Sequence, residues 1–499
     1  MDCFIGIDVG TSSVKSLLMR GDGKILGVAQ CKYDVLRPKT GYAEQPIEQL
    51  WEAACATLKQ LSAEHPHEIR QAKAVGYSGQ MHGLVLLDQN HRSLRNAIIW
   101  EDQRSVQEIE EIHSVMTPRE FSSVTLNRLS TGYLITSLLW VRNHEPDLFE
   151  RARVLMLPKD YVRLRMCGEI GTDMSDASAA VVFDPAKRNW AWDIIDRLRL
   201  PRELFPACHE SYEIAGRLTE EAARLTGLAP GIPVVYGGGD TLMHEVGTCM
   251  IDESRPWVAN IGTSCQVTCA MSRPQCDADF RTNTFCHVKE DLWMLMSCNL
   301  CGGAAMKWLG GSVYDGLTFD EMNRLAERIP AGSDGLIFLP YLSGGRSPDN
   351  DPRARGMFFG LTLSHTKAHM VRSTMEGVVY SLKNSFDVLE SIVHTTPDRV
   401  IASGGGARGR IFRQMEADAF NRPIYTTVEA EQSCIGAAVT AAVGVGYYAS
   451  YAEACDRVVR FNDDVVEPIA ENVGRYNEFF AIYKELYGHN KDLFAKYPN

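Results

Sequence analysis

Apolar and polar positions alternate in short bursts at the start of the chain. Residues 4–9 and 13–19 are apolar runs separated by Gly10-Thr11-Ser12, and a third run, 25–29, follows the hairpin signal Gly21-Asp22-Gly23-Lys24. Three strands joined by tight turns predict an antiparallel meander. The period then lengthens: Ile47, Leu50, Trp51, Ala54, Leu58 and Leu61 share one face at 3.6-residue spacing, which predicts a helix. Residues 72–77 predict a buried strand leading into SGQMHG at 78–83. Strands mixed with helices in this order predict an α/β architecture.

One pattern repeats over a longer range. DVGTSSV at 8–14 returns as NIGTSCQV at 260–267, about half the chain later, each time after one apolar run and before another. Duplication therefore predicts two related domains, 1–247 and 248–499, joined in the segment 247–257. No long Pro/Gly/Ser linker or low-complexity tract separates them, so the halves are expected to pack around a cleft.

Composition narrows the partners. The 499 residues are 45% hydrophobic and 23% charged, as in an ordinary globular protein. A net charge of −12 argues against nucleic acid, which needs a basic surface, but leaves room for an anionic small ligand. Fourteen irregularly spaced cysteines read as reduced thiols. Asp8 interrupts the first apolar stretch, so it cannot serve as a signal-peptide core, and no run approaches the ~18 residues of a spanning helix. The expectation is a cytoplasmic protein with no membrane partner; a homodimer is allowed but not indicated.

Several motifs could carry chemistry. In the two Gly-Thr-Ser turns, glycine lets a phosphate approach the backbone and the hydroxyls add donors beside free N–H groups. Asp8, at a strand end before the first turn, is suited to a hydrated Mg²⁺ beside phosphate oxygens. Ordinary hairpin turns explain the same residues. In PVVYGGGDTLMHEVG, residues 233–247, Asp240 follows Gly237-Gly238-Gly239 where a helix should start. It is a helix cap or a displayed general base for a hydroxyl nucleophile, and spacing leaves both open. His244 and Glu245 read as structural. Gly404, Gly406 and Gly409 form G-x-G-x-x-G with Glu429 about 20 residues on, a dinucleotide fingerprint that also suits adenine or ribose. No P-loop and no protein-kinase motif set occurs. Cys298 and Cys301, with Cys286 and His287 nearby, lack a second pair at zinc spacing and read as buried thiols.

Taken in order, these motifs resemble the FGGY carbohydrate kinases over nearly the whole chain. The likeness includes GYSGQMHGLVLLD (76–88), AIIWEDQRS (97–105), LPKDYVRLRMCGE (157–169), DMSDAS (173–178), FLPYLSGGRSP (338–348), GMFFGLTLSHTKAHMVRSTMEGV (356–378) and SGGGARG. Within the family, Q-M-H-G points to the xylulose-phosphorylating members. The resemblance implies an α/β fold of two ribonuclease H-like domains of the actin/hexokinase ATPase superfamily around a central cleft. It implies ATP mainly on the C-terminal domain and sugar mainly on the N-terminal one. Carried onto matching positions, Asp240 is the catalytic base and Asp8 helps hold Mg²⁺. Thr11, Ser12, Gly262, Thr263, Gly303, Gly406 and Arg410 contact the nucleotide. Met81, His82, Trp100, Asp102 and Asp240 line the sugar.

The implied reaction is transfer of the γ-phosphoryl group of MgATP to a ketopentose, at the 5-hydroxyl of D-xylulose. Alternatives are another sugar or polyol (ribulose, L-xylulose, glycerol, gluconate), an NAD-dependent oxidoreductase, or a non-catalytic nucleotide-binding regulator. The chain departs from the family pattern at Thr241 and Glu101, where Asn is usual, at Gly345, where Glu is usual, at Ser137, where Lys is usual, and in the bulkier LMHEVG. These changes predict a bulkier, more acidic sugar pocket and leave Asp8 and Asp240 intact.

Overall fold

The computed structural model describes residues 2–496. Strands β1 (Cys3–Val9), β2 (Ser13–Arg20) and β3 (Ile25–Lys32) form the expected meander, β1 antiparallel to β2 and β2 to β3. Gly23 makes the second turn possible with φ +88°, its N–H donating to the Arg20 carbonyl at 2.8 Å. Helix α1 (Ile47–Glu64) buries the face formed by Ile47, Leu50, Trp51, Ala54, Leu58 and Leu61, covering β2 and β3.

Strand β4 (Ala72–Gly79) then runs parallel to β1 on its other side. Helices α2 (Pro158–Cys167) and α3 (Met174–Ala179) follow, and the sheet is completed by β5 (Ile214–Arg217), β6 (Pro233–Val235) and the two-residue β7 (Gly238–Gly239). Its order is β5-β6-β4-β1-β2-β3, with β7 also pairing β4. Helix α4 (Asp240–Gly247) leaves β7 directly.

The second half repeats the plan. Strand β8 (Trp257–Ile261) is antiparallel to β9 (Cys265–Met271). Beyond β9 lie β10 (Asn283–Cys286) and β11 (Trp293–Asn299), followed by α5 (Gly303–Trp308) and the long α6 (Lys367–Val393). Strand β12 (Val400–Gly404) is parallel to β8, as β4 is to β1. Helix α7 (Arg410–Phe420) and β13 (Ile424–Tyr425) complete the order β10-β11-β9-β8-β12-β13. The echo in the sequence is thus an echo in topology: strand, Gly-Thr-Ser turn, antiparallel return, parallel neighbour.

Helix α8 (Gln432–Gly444) crosses back and lies on β1 and β4 beside α4. Glycine permits this approach: a Cβ on Gly6 would stand 1.9 Å from the Cys434 carbonyl oxygen, and one on Gly436 1.9 Å from that of Met243. Among the described residues, no helix is long and apolar enough to cross a membrane.

Candidate active site

Strand register builds the centre of the site. Asp8 pairs with Ser78, which pairs with Gly238; Val9 pairs with Gly79, which pairs with Gly239. The strand ends carrying Asp8 and the Gly239-Asp240 junction therefore flank one intervening strand. The Ser78 hydroxyl donates to Asp8 Oδ1 at 2.7 Å. Asp240 is the first residue of α4, and the cap position belongs to Gly239, which makes no side-chain cap bond. Asp240 Oδ1 accepts instead from the Thr241 amide at 2.7 Å and the Thr241 hydroxyl at 3.3 Å. Burial, with the neighbouring Asp8 charge second, pushes Asp240 up to about 7. Burial also raises Asp8, against the Ser78 bond and the Lys15 charge.

The first Gly-Thr-Ser turn is clamped by Trp100 and by three groups that sequence reasoning missed, Tyr33, Gln45 and Gln80. Gln45 Nε2 donates to the Thr11 carbonyl at 2.5 Å, Gln80 Nε2 donates to Gln45 Oε1 at 2.6 Å, and Thr11 Oγ1 donates to Gln80 Oε1 at 3.3 Å. Tyr33 Oη donates to the Gly10 carbonyl at 2.5 Å, and Trp100 Nε1 donates to Thr11 Oγ1 at 2.9 Å. The Tyr33 amide donates to the Ser12 carbonyl at 3.0 Å, leaving the Ser12 side chain exposed. Trp100, in AIIWEDQRS, and Gln80, inside the Q-M-H-G string, had a sequence signal; Tyr33 and Gln45 had none, since their partners depend on how the chain folds.

A cavity of about 1140 Å³ opens over this centre. Thr11, Met81, His82, Trp100, Asp102 and Asp240 line it, facing Ser264, Gln266, Asn283 and Arg346 from the second half. Met81 packs under Gly239, where a Cβ would meet its Cγ at 2.8 Å. Burial pushes His82 down to about 3, so its ring is neutral. Its Nδ1, 2.6 Å from the Ala179 carbonyl, must then carry the proton and donate, which leaves Nε2 as an acceptor. The ring stacks on Tyr133 at 4.3 Å. The Asp102 carboxylate is already engaged within the protein: Arg104 grips both oxygens at 2.7–2.9 Å and the Ala43 amide donates to Oδ2 at 2.7 Å. Glu101 pairs with Arg37 at the rim.

The remaining sequence-predicted residues gather on the second half. Gly303 donates from its amide to the Gly262 carbonyl at 2.8 Å, and Gly302 and Ala304 donate to the Thr263 carbonyl at 3.0 and 3.1 Å. A Cβ on Gly406 would lie 2.7 Å from the Ile261 Cβ, so the glycine turn packs on the strand leading into Gly262. Arg410 opens α7 just beyond and is exposed. Gly262, Thr263, Gly303, Gly406 and Arg410 thus form one neighbourhood. The G-x-G-x-x-G is indeed a strand–turn–helix unit, but its sheet contains antiparallel β9, β10 and β11, unlike a doubly wound dinucleotide domain. His244 and Glu245 lie on α4; Glu245 accepts from the Thr268 hydroxyl at 2.6 Å.

The donor set bears on a cation. Among the described residues no three His, Cys, Asp or Glu groups converge as a metal cage. Two carboxylates flanking one strand, one of them raised first by burial and then by the charge of the other, suit Mg²⁺ held mainly by phosphates and water, which needs only one or two carboxylates.

Comparison with known proteins agrees with this architecture. The family model for the FGGY family of carbohydrate kinases, N-terminal domain, matches residues 3–247, and that for its C-terminal domain matches 257–445. The chain is 33% identical over 500 residues to a xylulose kinase of Bacillus subtilis, covering 99% of this chain and 98% of that one. It is 37% identical over 416 residues to a xylulose kinase of Escherichia coli, covering 83% and 84%. A crystal structure of a xyloylose kinase from Brucella ovis superposes with a TM-score of 0.92 at 31% identity, covering 98% of this chain and all of that one.

Proposed function

The chain belongs to the FGGY family of carbohydrate kinases and is an ATP-dependent sugar kinase, and from that premise we propose that its acceptor is a ketopentose, D-xylulose, phosphorylated on the 5-hydroxyl. The observation that carries the reading is that Asp8 and the Gly239-Asp240 junction flank β4, with Asp240 lining a cavity together with His82 and Met81. The names of the relatives over nearly the full length support the same sugar.

In this reading the sugar lies against Met81, His82 and Trp100, with its reacting hydroxyl at Asp240. His82 Nε2 accepts from one sugar hydroxyl, since Nδ1 is committed to Ala179. Asp240 takes the proton from the attacking hydroxyl as the new P–O bond forms and the bond to the ADP oxygen breaks. ATP occupies the second half, with its phosphates reaching Thr11, Ser12 and Thr263 and its nucleoside near Gly303, Gly406 and Arg410. Asp8 would hold Mg²⁺, which when bound supplies charge neutralisation on the phosphates. Backbone N–H groups of the two Gly-Thr-Ser turns add fixed dipoles at the same place. The division at 247/248 assigns the sugar to the first unit and the nucleotide to the second.

Product analysis tests the reading. Incubation with D-xylulose and MgATP should give ADP and a single pentulose phosphate whose phosphorus couples to C5 in the NMR spectrum. Phosphate on another carbon, or ADP released without phosphosugar, would contradict it.

A further inference from the structure

Two strings of the sequence, LPKDY and DMSDAS, have no part in the chemistry described so far, yet they meet in the interior behind the triple glycine. Lys159 on α2 has no exposed surface. Its ammonium lies 2.7 Å from Asp160 Oδ1, 2.8 Å from Asp173 Oδ1 and 3.4 Å from Asp176 Oδ2. Arg163, one turn on, stands 3.8 Å from Asp160 and is equally buried. Burial pushes Asp176 well above the ordinary carboxylate range, which leaves Asp160 and Asp173 facing the two cations. Taking so many charges out of water is costly, and packed apolar residues would hold a core together at least as well. The cluster therefore invites a use beyond stability.

Its geometry supplies one. Asp173 turns its second oxygen away from Lys159 and collects the Ser175 amide at 2.8 Å, the Asp176 amide at 3.2 Å, the Ser211 hydroxyl at 3.2 Å and the Ser175 hydroxyl. A serine has one O–H to donate. With that proton given to Asp173, Ser175 Oγ is left with lone pairs only, and it accepts the Gly239 N–H at 3.1 Å. The other end of the glycine turn is tied to the same cluster, since the Gly237 amide donates to the Ser211 carbonyl at 2.9 Å. Gly237 has φ +80°, and a Cβ on Gly238 would stand 2.8 Å from Ser175 Oγ, so the turn is seated directly on this hydroxyl. The next residue is Asp240.

We propose that Ser175 is a positioning residue for phosphoryl transfer: the buried Lys159–Asp173 pair orients its hydroxyl, which holds the Gly239 amide and thereby fixes the Asp240 carboxylate against the acceptor hydroxyl. This rests on the reading of Asp240 as the base. Ser175 itself touches no substrate; it acts through one backbone bond. Loss of that bond loosens the turn by a fraction of an ångström, and displacements of that size cost catalysis far more than binding.

Ser175→Ala in the full chain tests it, because the methyl keeps the helix cap from the Ser175 amide to Asp173 and removes only the hydroxyl. The expected result is a kcat lower by about 10- to 100-fold, KM values for ATP and D-xylulose little changed, a melting temperature lowered because the buried Gly239 N–H loses its acceptor, and faster hydrogen exchange at residues 237–239. Ser211→Ala, which removes one hydroxyl from Asp173 but keeps the Ser211 carbonyl on Gly237, should lower kcat less and in the same sense. Asp240→Asn is measured beside them. A native kcat in both serine variants with an impaired Asp240→Asn overturns the positioning role, and so does a lowered kcat with unchanged exchange at 237–239. A native kcat in Asp240→Asn retires the base itself, which is a separate failure.

Discussion

Burial and the nearby Asp8 charge hold the Asp240 carboxyl up to about 7, well above an exposed aspartate. A base must be ionised to accept a proton, so turnover should fall on the acid side of that value, tenfold per pH unit once Asp240 is mostly protonated. Asp240→Asn should lower kcat by about 10²–10⁴ and abolish this acid limb, with ATP binding kept. A kcat–pH profile of both proteins checks it; a variant with near-native kcat and the same acid limb would show that Asp240 serves only the start of α4. The carboxylate pair was legible in the sequence as two motifs. That they flank one strand was not, because the pairing of β7 with β4 rests on two residues at a strand end.

Helix α7 carries another displaced carboxyl. Glu416 is buried, neither of its oxygens has a hydrogen-bond partner, and burial pushes it up to about 8 against the pull of Arg413. The folded state therefore keeps a proton that the unfolded chain releases near its ordinary value of about 4.3. Its contribution is fully present below that value and is lost as pH rises to about 8, at a rate of up to about 1.4 kcal/mol per pH unit. Glu416→Gln mimics the protonated form, so its melting temperature should gain on the native protein from pH 5 to 8 and level off beyond. Parallel melting curves across that range decide it; a constant offset would mean Glu416 ionises normally.

The elements themselves were readable to different degrees. The meander and α1 emerged because β1–β3 are local, joined by turns whose residues announce themselves, and α1 keeps its 3.6 period for 18 residues. The return of α8 to the first sheet was hidden. Its sequence, QSCIGAAVTAAVG, is apolar almost all round, so no face marks a partner, and the small residues that allow the approach look the same in any buried helix. The buried cluster behind Gly239 was equally silent, since Lys159 and Asp173 read as surface residues until the fold encloses them.

At the scale of the molecule, residues of both halves line one cavity, and side-chain hydrogen bonds join the halves around it. Asn127 joins the halves with all its side-chain groups used: Nδ2 donates to the Thr125 and Thr284 carbonyls at 2.7 and 2.8 Å, while Oδ1 accepts from Asn283 Nδ2 and the Thr284 amide at 2.8 and 3.2 Å. Arg346 reaches from the second half to Tyr133 Oη at 2.7 Å, on the ring that stacks with His82. The cavity wall is thus shared between the two halves. The departures at Glu101, Thr241 and Gly345 all fall on this wall, where Arg37 has already claimed Glu101 and Asp240 has claimed Thr241. A site built to bond a given hydroxyl rejects sugars that lack it, so acceptor choice is the sharpest readout of the whole arrangement. The decisive measurement is kcat/KM with ATP for D-xylulose, L-xylulose, both ribuloses, glycerol and gluconate. D-xylulose should be phosphorylated and a pentulose should rank highest; best turnover of glycerol or gluconate, with none of any pentulose, would contradict the assignment of the acceptor.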